Sequence, residues 1–430
     1  MTTSDVELLE RRKRVLRGLR LFYDVPFHPV RGEGCWMYDD AGKRYLDAYN
    51  NVPHVGHAHP HVVAAQARQA GMLNTNTRYL FEPIVEYAER LTATMPPPLD
   101  AVMFTCTGSE ANDLAFRMAR TFTGQRGAIT THNAYHGNTA LLDSIDGSSI
   151  KKVRETPDWW VTVPAPPDAA VPAGASPASY AESYGSAVAT LAERGYRPGA
   201  LFVESYYCTD GVRLPDTGFV AEAVARVRDA GALVIADEVQ AGLARSGTHM
   251  WSFDRLGVVP DIAVMGKPMG NGHPIGIVVA RRDVVDAFYA NDRYFNTFAG
   301  NPVSCAIGCA VLDVVENEKL QANALRVGTD LKRRLLALRK RHPLVSDVRG
   351  QGLLLGVELQ DPQTHAPAGK AARWTINELC RRGVLVGLTG PDRNSRNILK
   401  IRPPLVFDDA AVDLLVTTLD ATLAECKLDA

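Results

Sequence analysis

Between residues 101 and 280 the chain repeats one pattern, and this pattern limits the fold more than any other feature. Short apolar runs recur there: AVMFTCT at 101–107, GAIT at 127–130, ALFVES at 200–205, ALVIADE at 232–238, DIAVMGK at 261–267 and IGIVVA at 275–280. Most are bounded by turn residues, and helical stretches such as 110–121 and 217–230 lie between several of them. A strand with one wet face alternates apolar and polar residues, whereas a run that stays apolar is covered on both faces. The pattern therefore predicts an α/β layer built on a mostly parallel sheet. Ligands of such sheets bind beyond the carboxyl ends of the strands. Thr107, Glu204, Asp237 and Lys267 all fall at those ends.

The flanking segments differ. Residues 6–22 carry Val6, Leu8, Leu9, Val15, Leu16, Leu19 and Leu21 at near-helical spacing, with the basic run 11–14 read as the wet face of that helix. Trp36, Tyr38, Tyr45 and Leu46 around Asp40-Ala41-Gly42 predict a hairpin. After Asn301 come a long helical stretch at about 303–341, the run VRGQGLLLGVEL at 348–359, a helix near 371–382 and the apolar segments GVLVGL and NILKIRPPL. The expected organisation is an N-terminal helix and hairpin at 1–60 belonging to a small domain, a large α/β domain at 61–300, and a smaller α+β domain at 301–430. The Pro-, Ala- and Ser-rich stretch 163–179 is expected to be a surface excursion, because it cannot build a core.

Several function classes are disfavoured by composition. A formal net charge of -1 provides no global attraction to nucleic acid or anionic membrane, so any bound anion must be held by local geometry. The seven cysteines lack metal-ligand or CxxC spacing and read as reduced thiols of a cytoplasmic protein. No apolar run reaches the roughly 18 residues of a membrane span, and Asp5, Glu7 and Glu10 make the N-terminus unlike a signal peptide. His54, His57, His59 and His61 crowd one loop, yet no carboxylate or thiolate accompanies them in sequence, and no metal site is expected.

Four features in the apolar-strand region converge on one chemistry. Gly108-Ser109 sits at a strand-to-helix junction, where free amides and a hydroxyl can hold a phosphate; Ser109 reads equally well as an ordinary helix cap. Tyr135, followed by His136-Gly137, offers a ring that can stack on a flat heterocycle. Asp237 ends an apolar strand, and a lone buried carboxylate needs a cation, for which a protonated ring nitrogen is suitable. Lys267 ends the next strand, and a lysine in a tight site loses basicity and becomes a nucleophile toward carbonyls. Together these are the parts of a site for pyridoxal 5'-phosphate.

The order of motifs TGSEAN, YHG, DEVQ, GKPMGNG and NTFAGNPVSCA resembles the class III, fold-type I pyridoxal-phosphate enzymes, the family of ornithine, 4-aminobutyrate and omega-aminotransferases. The resemblance covers nearly the whole chain. It implies that Lys267 is the imine-forming lysine and Asp237 the partner of the pyridine nitrogen. Tyr135 would stack on the ring with His136 beside it, and Gly108 and Ser109 would bind the phosphate. Gln240 would lie near the phenolic oxygen, with Glu204 supporting the network. Thr297 would reach the cofactor phosphate of a neighbouring subunit, which implies a homodimer with shared active sites, or a tetramer.

One departure bears on the reaction. Aminotransferases of this family commonly place an arginine before the PPL segment to hold a carboxylate, and several pair it with a glutamate. Here Lys400 and Thr209 stand at those positions. A lysine lacks the planar fork that matches a carboxylate and acts as a point charge for phosphate. The segments NNVPHVGHAHP, LNTNTRYL and YFNTFAGNPVSCA, and the GP-x-RN stretch before ILKIRPPL, further resemble the ethanolamine-phosphate phospho-lyase branch. The expected reaction is β-elimination of phosphate from O-phosphoethanolamine or a similar small phosphorylated amine, with Lys267 as proton-transferring base. Arg78 and Lys400 are the candidate phosphate holders, followed by Arg402. Two segments depart from this branch as well: residues 205–213, and the small insertion at Asn394 to Arg396. They leave open an omega-aminotransferase, or an ammonia-lyase acting on a hydroxylated aminophosphonate.

Overall fold

Strand formation follows the apolar runs closely in the computed structural model, which describes residues 3–148, 156–167, 176–390 and 396–427. A seven-stranded sheet runs in the order Leu99–Thr105, Gly276–Arg281, Ile262–Met265, Leu233–Asp237, Pro198–Glu204, Gly127–Thr131, Trp160–Val163. The strands from Ile262–Met265 to Trp160–Val163 pair in parallel. Gly276–Arg281 is antiparallel to both of its neighbours, so the sheet is mixed. Pro198–Glu204, Leu233–Asp237 and Ile262–Met265 are buried at every position, as uninterrupted apolar runs require when helices cover both faces. Glu204 pairs with Asp237 across two parallel strands, and Asp237 with Val264 on the next. Two carboxylates and the approach to Lys267 thus share one edge of the sheet.

Two smaller sheets flank this layer. Pro29–Glu33, Trp36–Asp39 and Arg44–Asp47 form the expected hairpin region, and Val384–Leu385 adds to it in parallel with Leu46 and Asp47. Val345–Gln351, Leu354–Leu359, Ile398–Ile401 and Gly387–Thr389 make the third sheet. Lys400 is central there, opposite Gly356 on one side and Gly387 on the other.

Several expectations are corrected. The N-terminal helix is Thr3–Val15 rather than 6–22, because the chain turns at Gly18 with φ 82° and leaves Leu16, Leu19 and Leu21 outside it. The stretch 303–341 is two helices, Pro302–Asn317 and Leu320–Leu338, broken at Lys319 with φ 53°. Within 163–179, Val163 completes a strand and residues 177–179 open the helix Pro177–Glu193, with Ser176 and Ser179 forming a capping box. Residues 168–175 of that stretch, and 391–395 of the segment before Ile398–Ile401, lie outside the described residues. No helix among the described residues is long and apolar enough to cross a membrane.

Candidate active site

A cavity of about 290 Å³ opens at the carboxyl ends of the central strands. Gly108, Ser109, Tyr135, His136, Glu204, Asp237, Gln240 and Lys267 all line it. Eight of the sequence candidates, drawn from segments up to 159 residues apart, therefore meet in one place.

One wall is the start of the helix Gly108–Thr123. Its N-cap is Thr107, whose hydroxyl accepts from the Glu110 amide at 3.1 Å, while Glu110 reaches back to the Cys106 amide at 2.7 Å. Ser109 is therefore not the cap, and among the described residues its hydroxyl accepts only a long 3.4 Å bond from the Asn138 amide. The approach is close: a Cβ on Gly108 would meet the Val239 side chain at 2.8 Å, and one on Gly137 would meet the Ser109 backbone at 2.9 Å. Bare glycine backbone at a helix start is what an anion needs for direct access to amide donors.

Asp237 is buried but not alone. Its Oδ2 accepts from His136 Nδ1 at 2.8 Å and from Asn112 Nδ2 at 2.8 Å, and its Oδ1 from the Val239 amide at 3.0 Å. The expected lone carboxylate is corrected to one oriented by three donors. Asn112 also donates to the His136 carbonyl at 2.9 Å, and the His136 ring stacks on Phe202 with centroids 4.7 Å apart. Asn112 lies four residues beyond Gly108 on the covered face of its helix; its polarity there was the signal that sequence reasoning left unassigned.

Lys267 opens the turn after Ile262–Met265. Burial lowers its pKa, and the Arg402 charge lowers it further, while Asp237 and Glu204 oppose the shift. The turn ends at Asn271, whose φ of 46° asparagine tolerates. The Asn271 side chain accepts from the Val55 amide at 2.9 Å and donates to the Gly56 carbonyl at 2.8 Å, pinning the histidine-rich loop beside Lys267. His57 meets Asp47 of the preceding strand, and His59 and His61 meet the distant acids Glu318 and Asp313. His54 instead accepts from the buried Arg245 at 3.0 Å and donates to the Leu243 carbonyl at 2.6 Å.

Behind Gln240 stand Lys400 and Arg402, both buried. Lys400 Nζ donates to Gln240 Oε1 at 3.1 Å, and Arg402 Nη1 bonds the same oxygen. Burial lowers the Lys400 pKa to about 8. Burial likewise raises the Glu204 pKa; its Oε2 accepts from the Cys208 amide at 3.0 Å. Arg78 and Thr297 are not brought to this cavity. Both are exposed, with the Arg78 guanidinium over the Phe295 ring at 4.1 Å, on a surface that also exposes Tyr79, Leu80 and Phe298.

The description of class III aminotransferases matches residues 23–423. The chain belongs to that family. It is therefore a pyridoxal-phosphate-dependent enzyme of fold type I. Its relatives differ in reaction. It is 40% identical to an alanine-glyoxylate aminotransferase 2-like protein of Drosophila melanogaster, over 94% of this chain and 84% of that one. It is 35% identical to ethanolamine-phosphate phospho-lyase homolog 1 of Caenorhabditis elegans, over 98% of this chain and 94% of that one. Among solved structures, a phospholyase from Arthrobacter in complex with phosphoethanolamine superimposes with a TM-score of 0.93 at 38% identity, covering 98% of this chain and 100% of the other.

The cavity fits the cofactor on its own chemistry. His136 Nε2, Asn112 Oδ1 and Glu204 Oε1 are buried polar atoms without a hydrogen-bond partner among the described residues. Such atoms cost free energy until something pairs them. A phosphorylated, hydroxylated heterocycle brings both donors and acceptors to a site with a glycine cradle, a carboxylate and an amine.

Proposed function

We propose that this class III enzyme is a phospho-lyase, which takes O-phosphoethanolamine or a similar small phosphorylated amine and water to phosphate, ammonia and an aldehyde. The observation that carries the reading is the pair Lys400 and Arg402: two buried cations just behind the cavity wall that share one neutral acceptor, Gln240, and make no direct ion pair among the described residues. Buried charges without a counter-ion are costly, so this arrangement suits an incoming anion. A phosphate accepts at several oxygens from both donors together.

In this reading Gly108 and Ser109 hold the cofactor phosphate, Tyr135 covers the ring, and Asp237, oriented by His136 and Asn112, faces the ring nitrogen. Glu204 supports Asp237 from the neighbouring strand. When bound, pyridoxal phosphate supplies an electron sink for the carbon next to the substrate amine. Lys267 Nζ carries the proton taken from that carbon, its basicity lowered by burial and by Arg402. Lys400 and Arg402 orient the phosphate and stabilise its charge as the carbon-oxygen bond breaks.

The second reading is an omega-aminotransferase; the 40% identity to the Drosophila alanine-glyoxylate aminotransferase 2-like protein favours transamination as the reaction, without naming an ω-amine. Incubating the holoenzyme with O-phosphoethanolamine and no keto acid separates the two. Phosphate and ammonia released in equal, catalytic amounts support elimination. Conversion of the cofactor to its amine form with ω-amines, without phosphate release, supports transamination. Silence in both assays directs attention to hydroxylated aminophosphonates.

The exposed face around Arg78 and Thr297 supports a homodimer in which each subunit completes the other's site. Leu80 there is 98% exposed and Phe298 71%, unusual for large apolar side chains on a soluble surface. Light scattering on the purified protein tests the assembly, with a monomer as the outcome against it and a tetramer as its extension. A cytoplasmic location is proposed from the unpaired thiols.

A further inference from the structure

The ladder between Leu354–Leu359 and Ile398–Ile401 stops at a proline. Its hydrogen-bonded pairs alternate, with Leu359 bonded to Asn397 and Leu355 facing Ile401, so Leu353 and Pro403 come next in register. Pro403 has no amide hydrogen, and the Leu353 carbonyl loses its ladder donor there. Arg245, from beyond the strand Leu233–Asp237, makes the missing rung. Its Nη1 donates to the Leu353 carbonyl at 2.9 Å and to the Pro403 carbonyl at 2.8 Å, and its own carbonyl accepts from the Leu353 amide at 3.1 Å. The fit leaves no room for a side chain: a Cβ on Gly352, where φ is 58°, would lie 2.3 Å from the Arg245 carbonyl.

This repaired end lies beside the two buried cations, since Arg402 immediately precedes Pro403 and Lys400 belongs to the same strand. Arg245 is itself buried and makes no ion pair among the described residues. Its fork is held by His54, whose Nδ1 accepts from Nη2 at 3.0 Å. A guanidinium only donates, so the His54 proton is on Nε2, which donates to the Leu243 carbonyl at 2.6 Å. Burial, and after it the Arg245 charge, hold the His54 pKa well below the usual imidazole value, so the ring stays neutral and keeps its acceptor. The His54 carbonyl also accepts from the Leu405 amide at 2.7 Å, and the Ala48 carbonyl from the Arg402 amide at 3.0 Å. The histidine-rich loop thus grips both ends of residues 402–405.

We propose that His54 is a positioning residue for the substrate end of the cavity: it holds Arg245, whose guanidinium completes the strand end that Pro403 leaves open and so sets where Lys400 and Arg402 stand. The proposal rests on reading these cations as phosphate holders, and it adds the residues that aim them. Neither His54 nor Arg245 lines the cavity, so both act through the strand. A carboxylate in place of His54 would also orient Arg245, but it would bring a negative charge toward cations that are to receive an anion. A neutral imidazole orients without that competition.

The test measures binding of inorganic phosphate to the holoenzyme by calorimetry, with cofactor content followed by visible absorbance. His54→Leu, which has no acceptor for Arg245, should bind phosphate about tenfold more weakly than wild type with its cofactor absorbance unchanged. His54→Asn, whose Oδ1 can stand where Nδ1 stood, should stay within about threefold of wild type. In a Lys400→Met background, His54→Leu should weaken binding by no more than about twofold further, because both changes act on one end. His54→Met replaces His54→Leu should that variant not fold. Unchanged affinity in His54→Leu, equal losses in the Leu and Asn variants, a full additional tenfold in the double variant, or parallel loss of cofactor each overturns the proposal. A wild-type holoenzyme that binds no phosphate, or binds it as tightly after Lys400→Met, removes the phosphate reading of the cations and the proposal with it. The expected order of affinities without phosphate release from phosphoethanolamine keeps the positioning role and removes the phospho-lyase; release without that order removes the positioning role alone.

Discussion

The two ends of the cavity are built on opposite electrostatic plans. At the Asp237 end one carboxylate is met by His136, Asn112 and the Val239 amide, so its orientation is settled before anything binds. At the Lys400 end two cations meet a single neutral oxygen. The first end is preorganised by direct hydrogen bonds to its charge; the second holds two cations, of which Lys400 feels the Glu204 carboxylate, but neither makes a direct ion pair among the described residues. The difference indicates where selectivity resides. In the proposed reading, the end built on Asp237 serves the cofactor and the end built on Lys400 and Arg402 chooses the substrate.

The largest effect should come where the two ends meet. Lys267→Ala should lower phosphate release by at least about 10²–10⁴-fold, and borohydride should no longer fix the cofactor covalently to the chain. Covalent fixation that survives this change would take Lys267 out of the cofactor site. Next, Lys400→Met should raise KM for phosphoethanolamine by roughly 30-fold or more, the scale of losing one partner of a buried charged pair, with cofactor affinity nearly unchanged. A parallel loss of cofactor would break the comparison by making the two ends one unit. The pH dependence sharpens the same point. Lys400, with its pKa lowered to about 8, is charged below that pH and neutral above it. KM for the phosphorylated substrate should therefore be flat below pH 8 and climb by up to about tenfold per unit above it in the wild type. The Lys400→Met variant should lack that climb, measured as KM against pH.

Smaller effects belong to the Asp237 end. Asn112→Ala removes a donor from Asp237 and from the His136 carbonyl, and should lower holoenzyme stability by about 1–3 kcal/mol. Denaturant titration with and without cofactor checks this, the larger loss being expected with cofactor bound. Thr107→Ala removes the helix cap and should cost about 1 kcal/mol with substrate KM unmoved. A rise in KM would mean that the helix start also serves the substrate.

Legibility in the sequence follows the same division. The parallel strands and the residues at their ends were readable because an all-apolar run bounded by turns has few other destinations in a chain this size. Glu204, Asp237 and Lys267 sit one strand apart, and parallel pairing with short crossovers brings consecutive strand ends together. The helix breaks were less visible: Lys319 adopts a left-handed turn without a glycine or proline to announce it. The histidine loop was read as lacking acids because Glu318 and Asp313 are more than 250 residues away in sequence.

By itself, then, the sequence determined the α/β layer, the family and the set of residues that meet at the central strand ends, because those depend on local periodicity and on motifs whose members lie on neighbouring strands. Only the tertiary structure decided that Gln240 accepts from both Lys400 and Arg402, that Asp237 is already oriented by Asn112 and His136, and that Arg78 and Thr297 face outward. The first of these facts comes from the docking of one sheet against another. Contacts across that junction join residues up to about 160 positions apart, and no local pattern records which side chain will stand in front of which.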